Sequence, residues 1–198
     1  SSGIKPLRLI ADIGGTYARL ALQRHRGRYT EVRVFPTSEF ADLPSLLRAY
    51  LAGRSVREAV LAVGTPVEGD LIRFVKLPWS FSQAALRAEF NFERLAVIND
   101  FVAQALAVPR LTALDLERIG GGAVVPGRPA VVLGPGTGLG CAVLTWHGNR
   151  ALPMASEAGH CSFAPEDARE TALLDELRRQ YGHVSYERIV SGPGLLAT

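Results

Sequence analysis

The sequence predicts a duplicated α/β fold in two lobes, and three features carry that reading. The first is a strand, a Gly-Thr turn and a returning strand: Leu7–Ile13, Gly14-Gly15-Thr16, then Ala18–Leu22. The second repeats the plan with Ala130–Leu133, Gly134-Pro135-Gly136-Thr137-Gly138-Leu139-Gly140 and Cys141–Leu144. Setting Gly15-Thr16 over Gly136-Thr137 puts Leu20, Ala21 and Leu22 on Cys141, Ala142 and Val143, so one unit occurs twice, about 120 residues apart. The third is Leu95-Ala96-Val97-Ile98, an apolar run that reads as a buried strand and ends in Asn99-Asp100. It passes at Asp100 into helical spacing, with Phe101, Ala105 and Val108 on one face and Pro109 closing it. The expected result is a two-lobed cleft with facing glycine turns, residues 1–110 forming an N-terminal lobe and 111–198 the start of a second.

Composition bounds the function. A chain of 198 residues, 47% apolar and 21% charged, can bury a substantial core. The net charge is +3, and Lys5 and Lys76 are the only lysines among 22 basic residues. The arginines are scattered among acids, with no basic run interleaved with aromatics, so nucleic acid is not an expected partner. Cys141 and Cys161 form no disulfide framework, which predicts reduced thiols and a cytoplasmic location. No apolar stretch reaches membrane-spanning length and the N-terminus lacks a signal-peptide core, so no membrane association is expected. Ser1-Ser2-Gly3 reads as a leader foreign to the fold.

In chain order, the first turn is not a Walker loop, which would run through Gly-Lys-Ser/Thr into a helix. Its glycines let backbone N–H groups approach a phosphate, with the Thr16 hydroxyl and Asp12 beside them; a plain hairpin is the alternative. Phe40, Leu43, Leu46, Leu47 and Tyr50 predict a helix over Thr37–Tyr50, stopped by Gly53. Val56–Val63 reads as a strand ending in the loop Gly64-Thr65-Pro66. Trp79 and Phe81, in the loop Leu77–Ser82, read as core because large aromatics dominate packing, and Ser82 caps a short helix to Phe90. Asp100 then stands at a strand's C-terminal end, where ligands collect in open α/β sheets, although Asp is also a good helix cap. Thr112–Ile119 reads as another helix, ended by Gly120-Gly121-Gly122.

Ser156-Glu157-Ala158-Gly159-His160-Cys161 is a polar cluster between a strand and the amphipathic helix Glu166–Tyr181. Glu157, His160 and Cys161 could ligate zinc, but no second Cys pair and no HExxH accompany them, which favours hydrogen bonding to a polyhydroxyl ligand. A satisfied buried histidine is the other reading of His160. Val184–Val190 reads as a short helix capped by Ser185, with Glu187 in the first turn, where the helix dipole favours acid.

Asp12-Ile13-Gly14-Gly15-Thr16 with Arg19, Ile98-Asn99-Asp100-Phe101, Gly134–Gly140, Glu157-Ala158-Gly159-His160 and Gly182–Arg188 together resemble the bacterial glucokinase family, in order and spacing, over essentially the whole chain. The resemblance implies a ribonuclease H-like (actin-like ATPase) fold whose second lobe is incomplete here. It implies transfer of the γ-phosphoryl group of ATP, with Mg2+, to the 6-hydroxyl of glucose. On it, Asp100 is the general base and Asn99 a sugar ligand, with Glu157, His160 and Glu187 completing the hydroxyl contacts. Gly14, Gly15 and Thr16 approach the terminal phosphate, and Gly136, Thr137 and Gly138 hold the others. Asp12 becomes the magnesium-side carboxylate, acting through water, and no residue is a direct metal ligand. Phosphoryl transfer needs positioning and charge neutralisation more than covalent help, which suits these residue types.

Two positions depart from the family pattern: Tyr17 stands where Asn is usual, and Val75-Lys76 where Thr-Asn is frequent. A non-catalytic sugar binder on the same fold, or a kinase of another hexose, is the alternative. A repressor version would carry a helix-turn-helix ahead of the first turn, and six residues before Leu7 make that unexpected. A second lobe ending near residue 198 leaves strands without helical cover, so the chain is expected to belong to a longer polypeptide or to pair as a homodimer.

Overall fold

The computed structural model describes residues 7–25 and 27–197, so Ser1-Ser2-Gly3, read above as foreign to the fold, lies outside the described residues. Two compact units divide between Ala103 and Gln104.

The first unit is built on a five-stranded sheet. Its strands are β1 (Arg8–Ile13), β2 (Tyr17–His25), β3 (Arg28–Pro36), β4 (Glu58–Val63) and β7 (Arg94–Asn99), in the order β3-β2-β1-β4-β7. β1 alternates, burying Leu9, Ala11 and Ile13, and pairs antiparallel with β2 and parallel with β4. Helix α1 (Leu43–Leu51) buries Leu43, Leu46, Leu47 and Tyr50 completely. The expected start at Thr37 is corrected to Leu43: the Asp42 carboxylate accepts from Ser45 N at 2.7 Å and Pro44 occupies the first turn, so the helix starts there. A small hairpin of β5 (Leu71–Arg73) and β6 (Ser80–Ser82) leads into α2 (Gln83–Glu89), whose Ser82 cap accepts from Ala85 N. Trp79 and Phe81 are core residues, as expected.

β7 corrects a second expectation. Leu95–Ile98 is an edge strand of this sheet rather than a buried one, and only Val97 along it is buried. Its apolar run reflects one covered face and a parallel partner, β4, on one side alone. Helix α3 (Asp100–Ala107) follows directly, as the spacing predicts.

The second unit holds a three-stranded antiparallel sheet, β10-β9-β8, of β8 (Ala130–Pro135), β9 (Leu139–His147) and β10 (Arg150–Ser156). Helices α4 (Ala168–Tyr181), α5 (Tyr186–Val190) and α6 (Gly192–Ala197) follow. Leu174 and Leu177 of α4 pack with Val184, Phe163 and Ile189. The helix expected over Thr112–Ile119 shrinks to one turn, Ala113–Asp115. The Asp115 carboxylate turns back onto Thr112 N and Oγ1, and Leu114 and Ile119 are more than nine-tenths exposed, so no packed face sustains further turns. Ser185 sits at the start of α5 but its side chain accepts no capping bond, contrary to the expected cap.

Among the described residues no helix is long and apolar enough to cross a membrane.

Candidate active site

In the first unit the strand tips are level. Ile13 pairs with Val63 and Val63 with Asn99, so Asp12, Gly64 and Asp100 are carried to one end of the sheet. Gly64 N donates to Ile13 O at 3.1 Å, and a Cβ on Gly64 would stand 3.4 Å from Asp100 Oδ2. The capping role considered for Asp100 falls mainly to its neighbour. Asn99 Oδ1 accepts from Phe101 N at 3.0 Å and Val102 N at 3.2 Å, while Asn99 Nδ2 donates to Thr65 O at 3.3 Å. Asp100 Oδ1 accepts from its successor, Phe101 N, at 2.9 Å, and hydrogen bonding with the Asn99 side chain and with its own backbone N–H also favours the carboxylate. Burial pushes the Asp100 carboxyl above the ordinary aspartate range; the Phe101 N–H works against that shift and the Asp12 charge adds to it. Asp12 itself pairs with Arg19 at 3.2 Å, both side chains being substantially exposed.

The first glycine turn forms where expected, between antiparallel β1 and β2. Gly14 N donates to Tyr17 O, Thr37 N to Thr16 O and Thr37 Oγ1 to Gly15 O, all near 3 Å. The bonds that hold the turn therefore engage the carbonyl oxygens of Gly15 and Thr16. Tyr17 opens β2 with its side chain about half exposed, and its carbonyl closes the turn. Lys76, the residue that departs from the family pattern, lies over Gly15: a Cβ there would meet Lys76 Cβ at 3.2 Å, a tight contact.

In the second unit the matching hairpin joins β8 to β9, but with a different register. Pro135 pairs with Leu139, leaving three residues between the last partners, where Ile13 and Ala18 in the first hairpin leave four. The repeat seen in sequence is thus one residue out of step in hydrogen bonding. Gly136 N donates to Gly138 O at 2.7 Å across the turn. Glu157 precedes the single helical turn Ala158–His160 and His160 ends it; their side chains are 68% and 61% exposed, with Glu157 Oε2 and His160 Nε2 3.6 Å apart. The buried-histidine reading of His160 is therefore set aside. Glu187 does more than sit in a helix dipole: its Oε2 accepts from Leu139 N, at the end of the glycine turn, at 2.8 Å.

Asp12, the first turn, Asn99 and Asp100 are thus gathered at one pole of the first unit, and the second turn, Glu157, His160 and Glu187 in one part of the second. Sequence reasoning missed the bonds of Thr37 to the first turn, and it noted Gly64 and Lys76 without foreseeing that they lie against Asp100 and Gly15. Thr37 was concealed by a helical spacing that includes Phe40; Gly64 was visible as a glycine directly after a strand. Among the described residues no group of three or more His, Cys, Asp or Glu is arranged to hold a metal ion.

The sequence profile of the family described as Glucokinase matches residues 9–198. The bifunctional protein glk of Burkholderia pseudomallei (strain 1710b) is 44% identical over 192 residues, covering 95% of this chain and 30% of the relative. The crystal structure of glucokinase from an Antarctic psychrotroph superposes with a TM-score of 0.79 at 35% identity, covering 96% of this chain and 62% of that one. The glucokinase of Balamuthia mandrillaris, solved in complex with glucose, gives 0.78 at 25% identity, with 99% and 62% covered. The chain therefore spans less than two thirds of the length of each.

Proposed function

From the premise that this chain belongs to the glucokinase family, with its actin-like α/β fold, we propose that it takes part in transferring the γ-phosphoryl group of ATP to the 6-hydroxyl of glucose. The observation that carries the reading is Asp100. A carboxylate at a strand tip, half-buried and held above its ordinary pKa, with Asn99 sharing the capping of Phe101 N and taking Val102 N, has the character of a base for a hydroxyl proton.

The remaining roles follow the same reading. Gly14, Gly15 and Thr16 approach the transferred phosphate: Gly14 N is taken by Tyr17 O, while Gly15 and Thr16 enter the turn's holding bonds through their carbonyls. Gly136, Thr137 and Gly138 serve the other phosphates. Glu157 and His160 present exposed polar groups to sugar hydroxyls, and Glu187 joins them. Asn99 orients Asp100, and its amide nitrogen, with two hydrogens, serves both Thr65 O and a hydroxyl.

Magnesium fits beside Asp12. Asp12 is close enough to Asp100 to raise its pKa, and a divalent cation would relieve that repulsion. Magnesium binds through one or two carboxylates, waters and phosphates rather than an all-protein cage. When bound it would neutralise the phosphate charge. Arg19 holds the Asp12 carboxylate in place by its ion pair. A cytoplasmic setting and association as a homodimer belong to the same proposal; the thiols of Cys141 and Cys161 are both free, and Val131, Leu133 and Met154 present apolar surface on the β8–β10 sheet.

Asp100→Asn tests the assignment. The amide keeps the shape but accepts no proton, so turnover should fall at least about 100-fold while glucose affinity, measured by calorimetry, stays near the parent value. Activity within about tenfold of the parent contradicts a general base at this position.

A further inference from the structure

The second glycine turn contains little that would fix its own shape. It has one internal bond, Gly136 N to Gly138 O, and two glycines whose backbone freedom is large. Beyond the β8–β9 ladder that closes it at Pro135 and Leu139, three neighbours hold it from outside. Gly192 N donates to Gly136 O at 2.8 Å. Gly159 lies so close to Leu139 that a Cβ would stand 2.2 Å from Leu139 O. Glu187 Oε2 accepts from Leu139 N at 2.8 Å, and of the three it alone is a charged side chain.

We propose that Glu187 is a positioning residue for the phosphate turn: its carboxylate holds Leu139 N–H and thereby the arrangement in which Gly136, Thr137 and Gly138 receive nucleotide phosphates. The inference rests on the phosphotransferase reading above. A hydrogen bond to a carboxylate is roughly twice as strong as a neutral one, so it is the strongest of the outside contacts. Helix α5 is itself anchored to the segment bearing Glu157 and His160, through Tyr186 N to Cys161 O at 3.0 Å and Phe163 N to Val184 O at 2.9 Å. The turn, α5 and the Glu157–His160 segment are consequently linked by direct bonds, and a shift in one is passed to the others. The sugar contact implied for Glu187 is compatible with this, because a carboxylate accepts through both oxygens.

Two variants separate the roles. Glu187→Gln keeps an acceptor oxygen and loses the charge, whereas Glu187→Ala loses both. If Glu187 positions the turn, Glu187→Ala raises the KM for ATP about tenfold and Glu187→Gln raises it less than about twofold. If Glu187 also contacts sugar, both variants raise the KM for glucose, and that outcome is scored separately. Amide exchange gives a second readout that needs no turnover. Leu139 N–H should exchange at least about tenfold faster in Glu187→Ala than in the parent or Glu187→Gln, while the amide of Leu144, buried within β9, stays protected and shows that the fold is intact. An unchanged KM for ATP in Glu187→Ala, or Leu139 protection equal to the parent, overturns the proposal. A parent that turns over no glucose overturns the phosphotransferase reading instead, and the exchange comparison then decides the tether by itself.

Discussion

At the scale of single residues, Asp100 combines two demands that conflict. A base has to be ionised to work, yet burial favours its neutral form and raises its pKa. The acid limb of kcat/KM should therefore fall at a pH above the usual aspartate value of about 3.9. Stability should move with it. The folded state holds the Asp100 proton more tightly than the unfolded chain does, so this group favours folding at pH below its unfolded pKa, and that contribution is lost as pH rises through the raised folded value. At neutral pH the ionised carboxylate costs stability. Asp100→Asn should accordingly have a higher Tm than the parent at pH 7, with the difference shrinking as pH falls toward 4. Equal Tm values at pH 7 would mean that burial does not strain this carboxylate. The position of Asp100 was legible in the sequence because strand character ends and helical spacing begins at that residue. The sharing of the cap with Asn99 was not, because Asn99 and Asp100 are both good caps and only the backbone geometry divides the bonds between them.

Among the elements, the hairpins were the easiest to read and the helices the hardest. Gly-Thr turns between apolar runs specify a hairpin locally, and both formed. The one-residue difference in their registers depends on ladder bonds that no residue pattern encodes. The Thr37–Tyr50 and Thr112–Ile119 readings both took helical spacing as sufficient. In the first case Asp42 and Pro44 set a later start, and in the second the apolar residues found nothing to pack against. Strand β3 was not anticipated, since Tyr29, Val32 and Val34 lie on an exposed sheet edge where hydrophobic patterning is weak. The close approach of the Glu157–His160 segment to β9 is the element-level contact most open to test. A methyl group at Gly159 would collide with backbone, which side-chain motion cannot relieve. Gly159→Ala should cost about 2–3 kcal/mol or more in urea unfolding, with the loss carried by the second unit. A change below about 0.5 kcal/mol would show that the segment does not pack as described.

For the molecule as a whole, family membership and local chemistry agree, but they leave a sugar kinase to be told from a silent sugar binder built on the same fold. Both readings use Asn99, Glu157, His160 and Glu187 to meet hydroxyls. Only the kinase requires Asp100 as a base and glycine turns that receive phosphate. The difference lies in turnover, because a binder with the same contacts would take up glucose and stop there. Coupled measurement of ADP release from Mg-ATP, with glucose, fructose, mannose and glucosamine compared, addresses it directly. The phosphotransferase account predicts ADP release that depends on glucose, exceeds that with the other sugars and matches glucose 6-phosphate formed mole for mole. Glucose binding without glucose-dependent ADP release would contradict it.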